Sequence, residues 1–499
     1  MDYKEEFEQL VSEKCYEEAR ILLEQNHIYA LEDTFYYANL GWIYNQLERY
    51  DEAIVCLRKG LNLFSDDGWM YSQIAYAYNC QGNLEDGMKA IDKAFSLNFN
   101  EPWLYGEKGW CYKELQQYSD AIICFEDALM EDEDNVWLLS QAAFTYMELK
   151  DNESAEMYFL KCYRLLPNDD SLFDLVNFYK HVKKFQRVVD FLDYERASEF
   201  EAWRCFETGN AYHELHKEED AIRFLKRSLM EGRDDTGIRT LMGDVYQALG
   251  MSEDRDEQYA LALEYYEKAL LREDAGDREW IWQEMIWIAH KQKDYVKKLA
   301  LLDRGSMEFP ENTWMQYHYA RSYSDMDDYA HGVIACAKCI EMGEDTKEIL
   351  DLYAWNLGRC EREQEAITQL LLRMDRFGEE EWCYGELGWD HALLKEYDEA
   401  LEAYVKAASY DDNNFRHQSM ISWCYLRKED YARALAYMLK AKELGRNDGW
   451  LHSVLGEIYT GLGNKAEALA EYELAVSLGC DDQWIADEVK TLKKEVEIG

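Results

Sequence analysis

Small and apolar residues return along this chain at two intervals. Inside a segment they fall on one face at the helical step of about 100° per residue, and between segments the same set comes back after 34 residues. Leu40-Gly41-Trp42-Ile43-Tyr44 aligns with Lys108-Gly109-Trp110-Cys111-Tyr112, Leu387-Gly388-Trp389 and Leu455-Gly456-Glu457-Ile458-Tyr459, at offsets that are multiples of 34 within each half. Counting so that Gly41 is position 8, that position is also small at Ala75, Gly109, Ala143, Gly209, Gly243, Ala320, Ala354, Gly388, Ser422 and Gly456. Position 20 is small at Ala53, Ala121, Ala155, Ala221, Ala262, Ala366, Ala400, Ala434 and Ala468. Two helices whose backbones approach need small residues at the crossing. Each period therefore predicts a hairpin of helix A and helix B, with tyrosine at position 11 (Tyr44, Tyr78, Tyr112, Tyr146) and an aromatic at position 24 (Phe125, Phe159, Tyr404, Tyr472) filling the space between them.

These residues resemble the tetratricopeptide repeat, whose pattern is W-x2-L-G-x2-Y followed by A-x3-F-x2-A and then P. The resemblance covers the whole chain. It implies an all-α fold, a right-handed α-solenoid or superhelix of about fourteen helix-turn-helix repeats with a polar capping helix at the end. The expected organisation is an N-terminal array over 1–168, an irregular middle over 169–278, a C-terminal array over 279–482 and the cap over 483–499. Three features mark the middle. Val176 and Val188 replace the small residues in one unit; Met251 to Glu257, read as a loop insertion, delay the helix B signature of Ala262, Tyr266 and Ala269; and the next unit has Ile286 and Lys298 at positions 8 and 20.

Tryptophan follows the same period. Of 16 tryptophans, Trp69, Trp103, Trp137, Trp203, Trp280, Trp314, Trp382, Trp450 and Trp484 stand at position 2, and Trp42, Trp110, Trp287, Trp355, Trp389 and Trp423 at position 9. Only Trp282 holds the family's usual tryptophan position. At about 100° per residue, positions 2 and 9 share a direction roughly opposite to the face that meets helix B. In the tetratricopeptide family, positions 2, 5, 9, 12 and 13 line the concave surface where peptides and partner helices dock. The resemblance thus implies an indole-lined groove, with Asn45, Asn79, Lys113, Arg321, Arg359 and Arg427 among its polar members. The competing reading spends the indoles on stacking neighbouring repeats, at even odds for position 2 and less readily for mid-helix position 9. Asn45, Asn79 and Lys113 form a partial match to the clamp with which some family members hold a carboxylate, but the full constellation is out of register.

Composition narrows the partners. With 54 basic and 101 acidic residues the net charge is −47, which disfavours nucleic acid and anionic membrane. Its default role is solubility; the sharper reading is attraction of a basic protein or peptide. Three prolines and 48% apolar residues fit a helical protein with an extensive core. Thirteen scattered cysteines and the lack of a leader or spanning segment point to a cytoplasmic protein with reduced thiols.

Catalytic signatures are weak. Cys336-Ala337-Lys338-Cys339 falls on core positions, and His213-Glu214-Leu215-His216 has its histidines three apart, where the zinc helix needs four. No cofactor or metal is expected, and no enzyme activity. The expected function is non-catalytic recognition of a protein or extended peptide as a scaffold or adaptor. The alternative is a regulatory repeat protein that senses a signalling peptide or inhibits a toxin or effector.

Overall fold

Position 8 fixes how each hairpin closes. In α3 (Phe35–Gln46) a Cβ on Gly41 would lie 2.3 Å from the Leu57 side chain of α4 (Tyr50–Leu63). In α7 (Pro102–Glu114), Gly109 sits under the ring of Phe125 in α8 (Tyr118–Glu131), and in α23 (Glu381–Leu393), Gly388 sits under Tyr404 of α24 (Tyr397–Tyr410). The bare helix A backbone thus receives the position-24 side chain of helix B, and the small position-20 residues Ala53, Ala121 and Ala400 are fully buried beside it. This is ridge-into-groove packing at the closest approach two helices allow.

The computed structural model describes residues 3–28, 34–192, 201–253, 256–274 and 276–498. Among them lie twenty-nine α-helices, from α1 (Tyr3–Ser12) to α29 (Gln483–Ile498), and no strand. Odd-numbered helices through α27 (Gly449–Gly461) are helices A, each followed by its helix B. The chain divides into two compact units, Met1–Asp234 and Asp235–Gly499, each an α-solenoid of such hairpins.

The turn from A to B is made the same way in nearly every repeat. Position 15 has positive φ: Glu48 at 58°, Gln116 at 60°, Lys150 at 61°, Lys293 at 55°, Glu361 at 60° and Glu429 at 59°, with Gly82 and Gly463 in the same role. After α3, Arg49 N–H bonds to Tyr44 O at 2.8 Å and Glu48 N–H to Asn45 O at 3.1 Å, the paired bonds that end a helix on a left-handed residue. The B-to-A turn is closed by side chains instead. Asp67, Asn135, Asn312 and Asp448 cap the following helices A by accepting from backbone N–H groups three residues on.

The middle is built from the same helical elements. Val176 and Val188 are fully buried in α11 (Asp169–His181) and α12 (Phe185–Leu192), where bulkier residues take the crossing positions. The seven residues read as a loop insertion are helical on both sides of 254–255: α15 (Thr236–Glu253) runs on for eighteen residues and α16 (Asp256–Leu270) begins at once. Gly250 lies inside α15, packed against Tyr259, where a Cβ would lie 2.9 Å from the ring.

Candidate functional site

Facing away from helix B, the helices A of each unit present positions 2, 6, 9, 12 and 13. The polar members of this face are joined to one another. In the first unit, Asn45 Nδ2 donates to Gln73 O at 3.0 Å in α5 (Gly68–Cys80), Asn79 Nδ2 to Glu107 Oε2 at 2.8 Å in α7, and Lys113 Nζ to Gln141 Oε1 at 2.8 Å in α9 (Val136–Glu148). Each bond spans 28 residues, from position 12 of one helix A to position 6 of the next. Lys180 continues the series to Glu207 at 2.7 Å in α13 (Glu201–Glu214). Asn45 and Asn79 are both 2% exposed, so these residues act as rungs between repeats. Burial holds the Glu107 carboxyl above its usual range against the Asn79 bond, and burial lowers Lys113.

In the second unit the rungs vary. Gln247 Nε2 donates to Glu284 at 2.7 Å in α17 (Arg278–Lys291). Arg359, at the end of α21 (Lys347–Arg359), reaches Glu386 in α23 at 3.3 Å, and Arg427, at the end of α25 (Phe415–Arg427), pairs with Glu457 in α27. Arg321, in α19 (Thr313–Asp325), bonds within its own helix to Asp325 at 3.3 Å. At one seam two histidines stand where the rung would form. His290 of α17 and His318 of α19 hold the two rung positions, and the Nδ1 of each is buried without a partner, as is Nζ of Lys298 in α18 (Tyr295–Glu308). Burial and the neighbouring cations push His318 down to about 3, and burial brings Lys298 down to about 8.

Around Arg359 a second buried group collects. Asp390 is 1% exposed and lies against Gly358. Its Oδ1, Nη1 of Arg359 and the hydroxyl of Tyr404 have no hydrogen-bond partner. Burial, reinforced by Glu386 and opposed by Arg359, pushes the Asp390 carboxyl up to about 7.

The indoles occupy this same face. Trp137 and Trp389 are 44% and 40% exposed, and Trp42, Trp69, Trp103, Trp110, Trp203, Trp280, Trp287, Trp314, Trp355, Trp382, Trp423 and Trp450 are half-buried. Position-2 rings meet aromatics of adjoining turns: Trp69 lies 6.2 Å from Trp103 with Phe99 against both, Phe173 touches Trp203 at 5.5 Å, and Tyr266 touches Trp280 at 6.1 Å. Position-9 rings in the second unit take cations from one turn onward: Lys291 over Trp287 at 5.1 Å, Arg359 over Trp355 at 3.9 Å, and Arg427 over Trp423 at 5.5 Å. Arg359 also lies 5.7 Å from Trp389. Trp282, at the family's own tryptophan position, behaves differently: it is 4% exposed and its Nε1 donates to Glu308 at 3.1 Å. Among the described residues it is the one indole whose N–H is bonded to the protein.

The rungs escape a sequence reading because they join residues a full helix pair apart. The signal is present in retrospect as Asn or Lys at position 12 followed 28 residues later by Gln or Glu, as at Asn45, Asn79 and Lys113.

The two motifs singled out for chemistry occupy packing and turn positions. Cys336 and Cys339 are buried, which pushes their thiols up to about 12 and about 11, far from the thiolate that metal or redox work needs. His216 is the left-handed turn residue and His213 pairs with Glu218 at 2.7 Å. Among the described residues no three His, Cys, Asp or Glu side chains group as a metal site, and no helix is long and apolar enough to cross a membrane.

Comparison with known proteins gives a family model, the tetratricopeptide repeat, matching residues 36–67, 104–135, 138–169 and 451–478. No curated protein matches the chain. Solved structures similar to it include the APC/C hetero-tetramer Cut9–Hcn1, at 12% identity over 97% of this chain and 95% of that one with a TM-score of 0.37. Naa15/Naa10 bound to HypK-THB is 11% identical over 99% and 96%, with a TM-score of 0.33, and yeast Tom70 is 14% identical over 86% and 96%, with a TM-score of 0.32.

Proposed function

Since the chain is a tetratricopeptide-repeat protein, we propose that it is a non-catalytic scaffold or adaptor that recognises a protein or extended peptide through the tryptophan-bearing face of its helices A. The observation that carries this reading is the contrast between Trp282 and the rest. Trp282 is sealed and its N–H is used, whereas the indoles at positions 2 and 9 keep part of their surface in solvent and an N–H without a protein acceptor. Half-exposed indoles supply large contact area at small entropic cost, and the free N–H orients a backbone carbonyl of the ligand. The rungs between helices A hold the spacing of these rings, so the surface is ordered before a ligand arrives, and that lowers the entropic cost of binding.

The test is retention of a native partner from lysate by the wild type and by the Trp110→Ala, Trp389→Ala, Trp423→Ala variant, after matching helicity and melting. Loss of the partner from an equally folded variant supports the reading. Equal retention moves the binding site off this face.

A further inference from the structure

The second unit contains a cavity of about 530 Å³ on its helix A face, walled by α19 and α21, the start of α20 (Tyr329–Glu341) and Trp382 of α23. That size lies within the range of pockets that enclose small ligands. Its walls combine aromatic rings, Tyr317, Tyr329, Trp355 and Trp382, with four carboxylates, Asp325, Asp327, Glu348 and Asp351, and one cation, Arg321.

The carboxylates are not equally occupied. Asp351 is bonded to the fully buried Arg373 at 2.6 Å. Asp325 is paired with Arg321 at 3.3 Å and also feels Lys298 behind it. Asp327 only accepts the Tyr329 hydroxyl, at 2.6 Å, and Glu348 makes no bond within the protein among the described residues. Two negative charges are therefore left facing the cavity without a counter-cation. The rings beside them are suited to one kind of cation. Trp355 already carries the Arg359 guanidinium at 3.9 Å from its ring centroid and also borders the cavity, so this indole is suited to a guanidinium.

We propose that this cavity is a receptor for an arginine side chain of the partner, the guanidinium lying against an indole of the wall, Trp355 or Trp382, and donating to a carboxylate there that has no counter-cation, Glu348 or Asp327. The assignment rests on the scaffold reading above and names one chemical requirement of its ligand. A guanidinium stacks on indole and offers a fork of N–H donors to carboxylates, whereas an ammonium is compact and more strongly hydrated. The chain's net charge of −47 adds a long-range attraction for a basic ligand.

The experiment uses the full chain labelled with 5-fluorotryptophan and followed by fluorine NMR, the two resonances being assigned by Trp355→Phe and Trp382→Phe. The probes are N-acetyl-arginine amide, its neutral isostere N-acetyl-citrulline amide, and N-acetyl-lysine amide. The expected result is that the arginine amide shifts at least one of these resonances at concentrations at least tenfold below those needed with the other two. Glu348→Gln with Asp327→Asn, changes at exposed positions, is expected to weaken that response at least tenfold. Equal response to citrulline overturns the requirement for a cation, and equal response to lysine overturns the assignment to arginine. Absence of any shift at these two indoles overturns the receptor. None of Trp110, Trp389 and Trp423 lines this cavity. A chain that loses its partner with those three substitutions yet ignores the arginine amide keeps its binding face and loses this receptor.

Discussion

Replacing Gly388 by alanine sets two effects of known sign against each other. A Cβ there would lie 2.8 Å from Cδ1 and Cε1 of Tyr404 and 2.9 Å from Cδ2, with the ring 3% exposed among Ala400, Ile421 and Tyr425. The ring has no free direction in which to withdraw. Overpacking of this kind costs about 1–3 kcal/mol, and contact with three ring atoms places it near the upper end. The helix regains about 1 kcal/mol from losing a glycine, which leaves a net loss of about 2 kcal/mol. Gly385, one turn earlier in the same helix, has only His417 Cε1 within reach, at 3.6 Å. There alanine keeps the propensity gain of about 1 kcal/mol and meets no obstacle. The two variants should differ by about 3 kcal/mol and in sign. A long repeat array does not melt as two states, so the readout is amide exchange by mass spectrometry over α23 and α24, where the gap amounts to roughly a hundredfold in protection. If Gly388→Ala is as protected as Gly385→Ala, the position-8 crossing is looser than described and the packing argument fails.

Asp390 gives a pH dependence. A carboxyl raised to about 7 in the folded chain and near 4 when unfolded stabilises the fold below about pH 4, and that contribution is lost as pH rises through 7. Asp390→Asn should flatten melting between those limits and raise stability at pH 8 by on the order of 3 kcal/mol; an unchanged pH profile refutes the assignment. For Lys298, lowered to about 8, stability is missing at neutral pH and recovers as pH climbs from about 8 towards the unfolded value near 10.4. Lys298→Met is expected to raise the melting temperature at pH 7 and to lose that advantage near pH 10. Asn79→Ala removes the donor to buried Glu107 and the acceptor of the Cys111 thiol, a loss of about 1–3 kcal/mol visible as faster amide exchange in α5 and α7. Acrylamide should quench Trp137 and Trp389 readily and Trp282 hardly at all, compared through single Trp→Phe variants; uniform protection would remove the basis for the binding face.

Much of the architecture is legible in the sequence because it depends on residues that recur. Gly41, Gly109 and Gly388 mark where helices cross, and the 34-residue spacing is set by helix and turn lengths that every repeat shares. The direction of Trp110 or Trp389 follows from the helical step alone. What lies between repeats is harder to read. Asn45, Asn79 and Lys113 look like ligand-binding residues because only their own helix is visible in a one-dimensional pattern; their acceptors Gln73, Glu107 and Gln141 lie a full hairpin away. Met251 to Glu257 read as an inserted loop because they interrupt the repeat, yet the described part of that stretch is helical. The cavity beside Trp355 has contributions from four helices, and no single stretch of the chain signals it.

The rungs between helices A have a mechanical consequence. Elements loaded in series extend most at the most compliant one, and within the second unit the seam at His290 and His318 lacks the mid-helix bond that Gln247 makes to Glu284 and Ser324 makes to Asn356. A pull along the inner face should therefore open the array more readily at seams such as α17–α19 than at those a mid-helix bond closes, giving an uneven stretch. Pulled in an optical trap, this unit should yield at such seams at lower force than at the bonded ones, and a pair of cysteines bridging α17 and α19 should remove the event at that seam.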